Sequence, residues 1–322
     1  MGNASKAVRL TALFTGLALA AACGGDDGGG GDGGEGDSDA LSGASLSVGS
    51  KEFTEQLILG QITVQVLADA GAEVEDQTGI TGTTNVRQAL ASEEIDMYWE
   101  YTGTGYSEIL GNDISSAPTD GQELYDTVAE EDLSENGVEW LALSPANNTY
   151  AIATSAQTSD DIGVASLSDY SELVSSDPEN ATMCAASEFL DRADGFPGLE
   201  ETYGFELPDS AITEVELGII YTQLPEGDRC KFGEVFETDG RIPENDLVVL
   251  EDDENFFVAY NLALTVNEGV LEEYPEIADL MNPISEALTT ETMQQLNAQV
   301  DVESLPVEAV AEMWLQDNDF IG

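Results

Sequence analysis

The sequence contains no histidine among its 322 residues and only 8 Lys+Arg. Without imidazole there is no Ser-His-Asp relay, no histidine metal ligand and no base titrating near neutrality by default. With so few cations the chain cannot neutralise a run of phosphates, which excludes nucleic acid as a partner. Cysteine is scarce as well, at three residues. With no histidine to complete a shell, that is too few for a zinc site. The apolar stretch from Leu10 to Ala22 is interrupted by Thr11, Thr15 and Gly16 and is too short to span a bilayer.

What the chain has in excess is acid: 65 Asp+Glu, for a formal net charge of −57. Disordered chains combine such charge with few large apolar side chains, but here 42% of residues are hydrophobic, enough to build a core. The excess repels itself in dilute salt. In molar salt the Debye length falls to about 3 Å and the repulsion fades, so the composition points to a halophilic source.

Residues 1–22 read as a signal peptide, with Lys6 and Arg9 ahead of the apolar stretch and small residues at its end. The run Leu19-Ala20-Ala21-Ala22-Cys23 resembles a bacterial lipobox, which implies cleavage before Cys23 and a lipid on that residue. Residues 23–44 then read as a tether. Within them, residues 24–43 are half glycine and carry six acids; such a segment spans roughly 25 Å by random-coil scaling. Loss of the signal leaves six basic residues: Lys51, Arg87, Arg192, Arg229, Lys231 and Arg241. Cys184 and Cys230 remain as an even pair outside the cytoplasm, which suggests one disulfide, with two separate buried thiols as the alternative.

From residue 45 short apolar runs alternate with helical periodicity. Leu46–Val48 reads as a strand; Ile58, Ile62 and Val66 mark a helix with Ser50 as a possible N-cap. Strands follow at 72–75 and 95–101, with a helix over 85–93 between them. Further strands are expected at 138–143, 149–154, 182–186, 212–217, 247–250 and 261–266. Beyond Pro275 the pattern turns helical, over 276–288, 290–300 and 307–315, with Pro275 and Pro306 suited to first turns. This order predicts an α/β protein with mainly parallel sheets. Two α/β lobes fit it: 45–147 with 261–322, and 148–260. The chain crosses between them near 146–150 and 255–261.

Five segments carry the chemistry: GSKEFTEQ at 49–56, GTTNVRQALASEEIDMYWEYTGTG at 82–105, PANNTYA at 145–151, EFLDRADGFPGLEETYGF at 188–205 and GEVFETDGRIPENDLVVLEDDENFFVAY at 233–260. Together they resemble the substrate-binding proteins of osmoprotectant ABC importers, the glycine betaine/choline family. The resemblance runs from about residue 46 to the C-terminus. It implies the type II periplasmic-binding-protein fold and a cleft between two lobes. It also implies a quaternary ammonium held in a box of aromatic rings, with a carboxylate clamped by basic and hydroxyl groups. By motif, Tyr101, Tyr150, Phe236 and Tyr260 supply the rings, Phe236 standing where related proteins can have tyrosine. Asn148 supplies a backbone carbonyl, and Lys51, Thr104 and Arg192 supply the clamp.

The physics is consistent with that assignment. A trimethylammonium group has no N–H to donate, so aromatic faces read it better than hydrogen bonds do. A carboxylate entering so acidic a protein needs local cations, and Arg192 can offer a bidentate one. Arg241 reads instead as the brace of a turn. The pairs Asp96/Glu100 and Asp252/Asp253 could be imagined as hydrolytic acid and base, but such pairs are expected in a chain so rich in acid. The resemblance implies a monomeric receptor, not an enzyme, with no cofactor and no metal, delivering glycine betaine, choline or a related solute to an ABC permease. Its membrane contact is the lipid alone. A receptor for another zwitterion such as proline or ectoine is the alternative.

Overall fold

The computed structural model describes residues 40–191 and 195–322. Cys23 and Arg192, given roles above, lie outside the described residues, as does the signal segment.

Ten strands among the described residues form two five-stranded sheets. They are β1 (Ser45–Lys51), β2 (Glu73–Ile80), β3 (Met97–Tyr101), β4 (Val138–Trp140), β5 (Tyr150–Ser155), β6 (Met183–Ala185), β7 (Ile212–Glu214), β8 (Phe232–Phe236), β9 (Leu247–Val249) and β10 (Leu262–Asn267). The first sheet has the order β2-β1-β3-β10-β4 and the second β7-β6-β8-β5-β9. The expectation of mainly parallel sheets is corrected. β1 runs parallel to β2 and β3, and β6 to β7 and β8, but β10 is antiparallel to β3 and β4, and β5 to β8 and β9. A helical crossover within one sheet yields parallel neighbours. β5 and β10 are instead entered from the other sheet, so nothing forces them to run with their neighbours.

Those two passages lie side by side. Asn147 and Asn261 form an antiparallel bridge. The Asn148 N–H donates to Tyr260 O at 3.0 Å, and the Tyr260 N–H to Asn147 Oδ1 at 2.7 Å. Two paired segments thus carry Asn148 and Tyr260 from one sheet to the other.

The Thr54–Asp69 helix is buried on nearly every side, Glu55, Gln56, Gln61 and Thr63 included. Ile58, Leu59, Ile62 and Leu67 pack against Val48, Met97 and Trp99 of the first sheet and against Ile284, Met293 and Leu315 of the C-terminal helices. Leu41, placed in the tether by composition, is 2% exposed in this same core, and its N–H donates to Ala70 O. In the second sheet both faces are covered. Ile152 enters one core with Phe232 and Tyr170, while Ala151 and Ala153 enter another with Cys184 and Val235, the period-two alternation of a central strand.

Several local expectations shift. Ser50 does not cap the helix; Phe53 precedes it without a capping side chain, and Ser50 Oγ donates to Lys51 O. The strand expected over 212–217 stops at Glu214, and Leu217 opens the Leu217–Gln223 helix. Pro275 and Pro306 stand one place ahead of the helices they precede. β8 was not expected: Gly233 and Glu234 interrupt its apolar pattern, and both residue types are disfavoured in strands. Glu234 is buried there and accepts from the Ala186 N–H at 2.8 Å. Cys184 of β6 and Cys230, just ahead of β8, are joined in a disulfide.

Candidate functional site

A cavity of about 740 Å³ takes its lining from both sheets and both passages. Seven of the eight ligand-site residues expected from sequence line it: Lys51, Tyr101, Thr104, Asn148, Tyr150, Phe236 and Tyr260.

Strand register places the rings. Tyr150 and Phe236 are opposite partners in the β5–β8 pair, and their rings stack with centroids 4.9 Å apart at 28°. Phe189 packs against Tyr150, with ring centroids 5.2 Å apart at 49°. Tyr101 ends β3 on the same face as Met97 and Trp99, so the alternation that buries those two also buries Tyr101, at 4% exposure. Tyr260 lies against the backbone of Gly103: a Cβ there would come within 2.6 Å of its ring, so only glycine permits this approach.

Both cations of the described lining, Lys51 and Arg241, are paired with acids. Lys51 Nζ lies 2.5 Å from Glu100 Oε1, and Glu100 also accepts from Tyr98 Oη at 3.0 Å. The same Nζ sits over the Tyr101 ring, 5.0 Å from its centroid. Arg241 braces its turn as expected, with Nε and Nη2 donating to the two oxygens of Asp239 at 2.8 and 2.5 Å. It also lines the cavity and stacks its guanidinium 4.0 Å from the Tyr221 ring centroid.

Sequence reasoning missed Phe53, Glu55, Thr238 and Asn297, all of which line the cavity. Phe53 is 41% exposed and stacks on Tyr101 with centroids 6.3 Å apart. Its signal was available, an aromatic residue placed between the basic residue and the helix of the first motif. Glu55 is 3% exposed. Its Oε1 accepts from Tyr101 Oη at 2.8 Å and Asn148 Nδ2 at 2.9 Å, and its Oε2 from Asn297 Nδ2 at 3.1 Å. Burial pushes its carboxyl above the usual range, while hydrogen bonds from Thr238, Tyr101, Asn297 and Asn148 oppose the shift. Burial, followed by the charge of Glu55, holds the Tyr101 phenol far above its ordinary pKa, so its hydroxyl remains a donor.

Thr238 and Asn297 bring distant segments together. Asn297 Nδ2 also donates to Thr238 O at 2.9 Å, and Gln294 Nε2 donates to Glu237 O at 2.6 Å. Both donors stand on the C-terminal Thr290–Asp301 helix, and both acceptors follow β8. The contact is close enough that a Cβ at Gly240 would reach Ala298 N at 2.3 Å.

Neither imagined hydrolytic pair lines the cavity. Asp96 accepts from the Ser47 N–H and hydroxyl, Glu100 holds Lys51, Asp252 accepts from the Phe256 and Phe257 amides, and Asp253 from the Ser168 amide. The lining offers ring faces, amides and hydroxyls, the paired Lys51 and Arg241, and three further acids, Glu55, Glu108 and Asp301.

Comparison with known proteins agrees with this chemistry. Residues 44–317 match the family described as the substrate-binding domain of ABC-type glycine betaine transport systems. The chain is 36% identical over 282 residues to the glycine-betaine-binding protein of Pseudomonas aeruginosa, covering 86% of this chain and 89% of that protein. It is 33% identical over 277 residues to the glycine betaine-binding protein YehZ of Escherichia coli, covering 84% of this chain and 90% of that one. The solved structure of apo YehZ from Escherichia coli superposes with a TM-score of 0.75 at 31% identity, covering 86% of this chain and 99% of that chain. The two mixed sheets are thus the type II periplasmic-binding-protein fold. The chain belongs to the family of substrate-binding domains of ABC-type glycine betaine transport systems.

Proposed function

We propose that the protein is an extracytoplasmic receptor that captures glycine betaine, and choline or a related quaternary ammonium solute, and hands it to the permease of an ABC importer. The observation that carries this reading is the convergence of Tyr101, Tyr150, Phe236 and Tyr260 on one cavity lined from both sheets. Such rings attract a trimethylammonium group and exclude water from it, worth about 2 kcal/mol or more per desolvated contact. Lys51 and Thr104 are assigned to the ligand carboxylate. Arg192 is assigned with them on its motif alone. Because Lys51 already faces Glu100, selectivity for a carboxylate depends chiefly on the additional cation of Arg192.

The receptor acts as a monomer, and its only anchor is the lipid on Cys23. No helix among the described residues is long and apolar enough to cross a membrane. It binds rather than transforms its ligand, and the permease recognises the loaded form. Ligand contacts made from both sheets at once shift the protein toward that form.

Calorimetric titration of the full chain in molar salt, with detergent for its N-terminal segment, tests the reading. Micromolar or tighter binding of glycine betaine is expected. No heat with glycine betaine or choline, from protein shown to be folded, would overturn it.

A further inference from the structure

Glu55 is the buried acid of the cavity wall, where the other unpaired acids of the lining, Glu108 and Asp301, are exposed, and among the described residues no cation pairs with it. Among the described residues that line the cavity, Lys51 is held by Glu100 and Arg241 by Asp239. Glu55 is given hydroxyls and amides instead: Tyr101 Oη, Asn148 Nδ2 and Asn297 Nδ2. Removing a carboxylate from water without a counter-ion is costly, and neutral donors offset only part of that cost. A cation taken into the cavity from outside would supply a counter-charge that no described residue gives Glu55.

The contact with Tyr101 points the same way. A phenol that donates to a carboxylate carries more electron density in its ring, and the attraction of a ring face for a cation grows with its negative potential. This ring already attracts one cation, Lys51 Nζ, 5.0 Å from its centroid. Glu55 also fixes orientation. With Nδ2 of Asn148 and of Asn297 both turned to acceptors, the amide flips are set by the hydrogen-bond network. One carboxylate thus orients a residue of β3, a residue of the first passage and a residue of the Thr290–Asp301 helix.

We propose that Glu55 is the counter-charge of this cavity, setting its preference for a positively charged headgroup through space and through the ring of Tyr101. The proposal rests on the receptor reading above and adds to it the residue that distinguishes charge from shape.

The test compares choline with 3,3-dimethylbutanol, which has the same shape but carbon in place of the charged nitrogen. Both are titrated into the full chain and its Glu55→Gln variant in molar salt, the alcohol by competition. The variant keeps size and hydrogen bonding and removes charge. Choline affinity is expected to fall about tenfold, the scale of one charge acting at the distance of a neighbouring side chain, while the alcohol changes less than about twofold. Equal losses for both ligands, or no loss for either, would overturn the role of Glu55 and leave the receptor reading standing. A wild-type chain that binds neither choline nor glycine betaine overturns both. Should Glu55→Gln fail to fold, Tyr101→Phe decides: it keeps the ring and cuts the link to the carboxylate. A several-fold fall in the ratio of choline to alcohol affinity supports the proposal, and an unchanged ratio overturns it.

Discussion

Lys51 Nζ and Glu100 Oε1 lie 2.5 Å apart, with side chains 6% and 0% exposed. An ion pair this deeply buried has lost most of its hydration, and removing one member leaves the other charge stranded. Lys51→Met is therefore expected to destabilise the protein by about 3–5 kcal/mol. Denaturant unfolding in molar salt checks this: the midpoint falls while the slope stays that of the wild type. A loss below about 1 kcal/mol would mean that water or another cation compensates Glu100.

The proposed ring cage and the proposed carboxylate clamp make separable predictions. Tyr150 stacks with Phe236 across the β5–β8 pair, so Tyr150→Ala removes one ring and loosens a second. Glycine betaine and choline share the ammonium, and both are expected to lose about 30-fold in affinity, the equivalent of one desolvated ring contact. Arg192→Ala is expected to weaken glycine betaine far more than choline, which has no carboxylate. Calorimetry with both ligands reads the two ratios, and equal losses from Arg192→Ala would argue against the clamp.

The disulfide spans a sequence separation of 46 and joins β6 to the approach to β8, the strand that ends in Phe236. Closing a loop of that length restricts the unfolded chain. The double replacement Cys184→Ser and Cys230→Ser is expected to cost about 2–5 kcal/mol. A lowered Tm at constant salt checks it, and the same shift is expected from reduction of the wild type.

Glu55 gives stability a pH dependence of definite sign. Its carboxyl is raised above the ordinary value of 4.5 in the folded protein, chiefly by burial. The folded state therefore holds this proton more tightly than the unfolded state does. The resulting stabilisation is fully present below the ordinary value and is lost as pH rises through the raised one. Glu55→Gln has no such proton to lose. Its stability relative to wild type is expected to climb across that window and then level off, as measured by denaturant unfolding at a series of pH values in molar salt. A flat difference would mean that Glu55 titrates alike in both states.

Which elements were legible in the sequence follows from how local their causes are. Ile58, Ile62 and Val66 mark the Thr54–Asp69 helix by periodicity alone, and the three C-terminal helices announce themselves in the same way. β8 was hidden because Gly233 and Glu234 break its pattern, and its pairing with β5 and β6 supplies what local preference does not. The direction of β5 and β10 was likewise out of reach, since strand direction depends on where the chain arrives from. Leu41 looked like tether because its neighbours are glycine and acid, yet one leucine against Ala70 is enough to extend the body to it.

The cavity divides along the same line. The residue types were legible without contacts: a chain without histidine, poor in cations, with aromatic residues at fixed places in five ordered motifs. Residue types are covalent facts, and motifs of this kind survive without knowledge of contacts. How the charges pair depends on the fold. Lys51 and Glu100 are adjacent because β1 and β3 are neighbours, and Glu55 meets Asn148 and Asn297 because a helix from the far end of the chain closes over the passage. Electrostatic partners are set by distances through space, and with 65 acids to choose from no rule of spacing could have told which of them a buried cation would find.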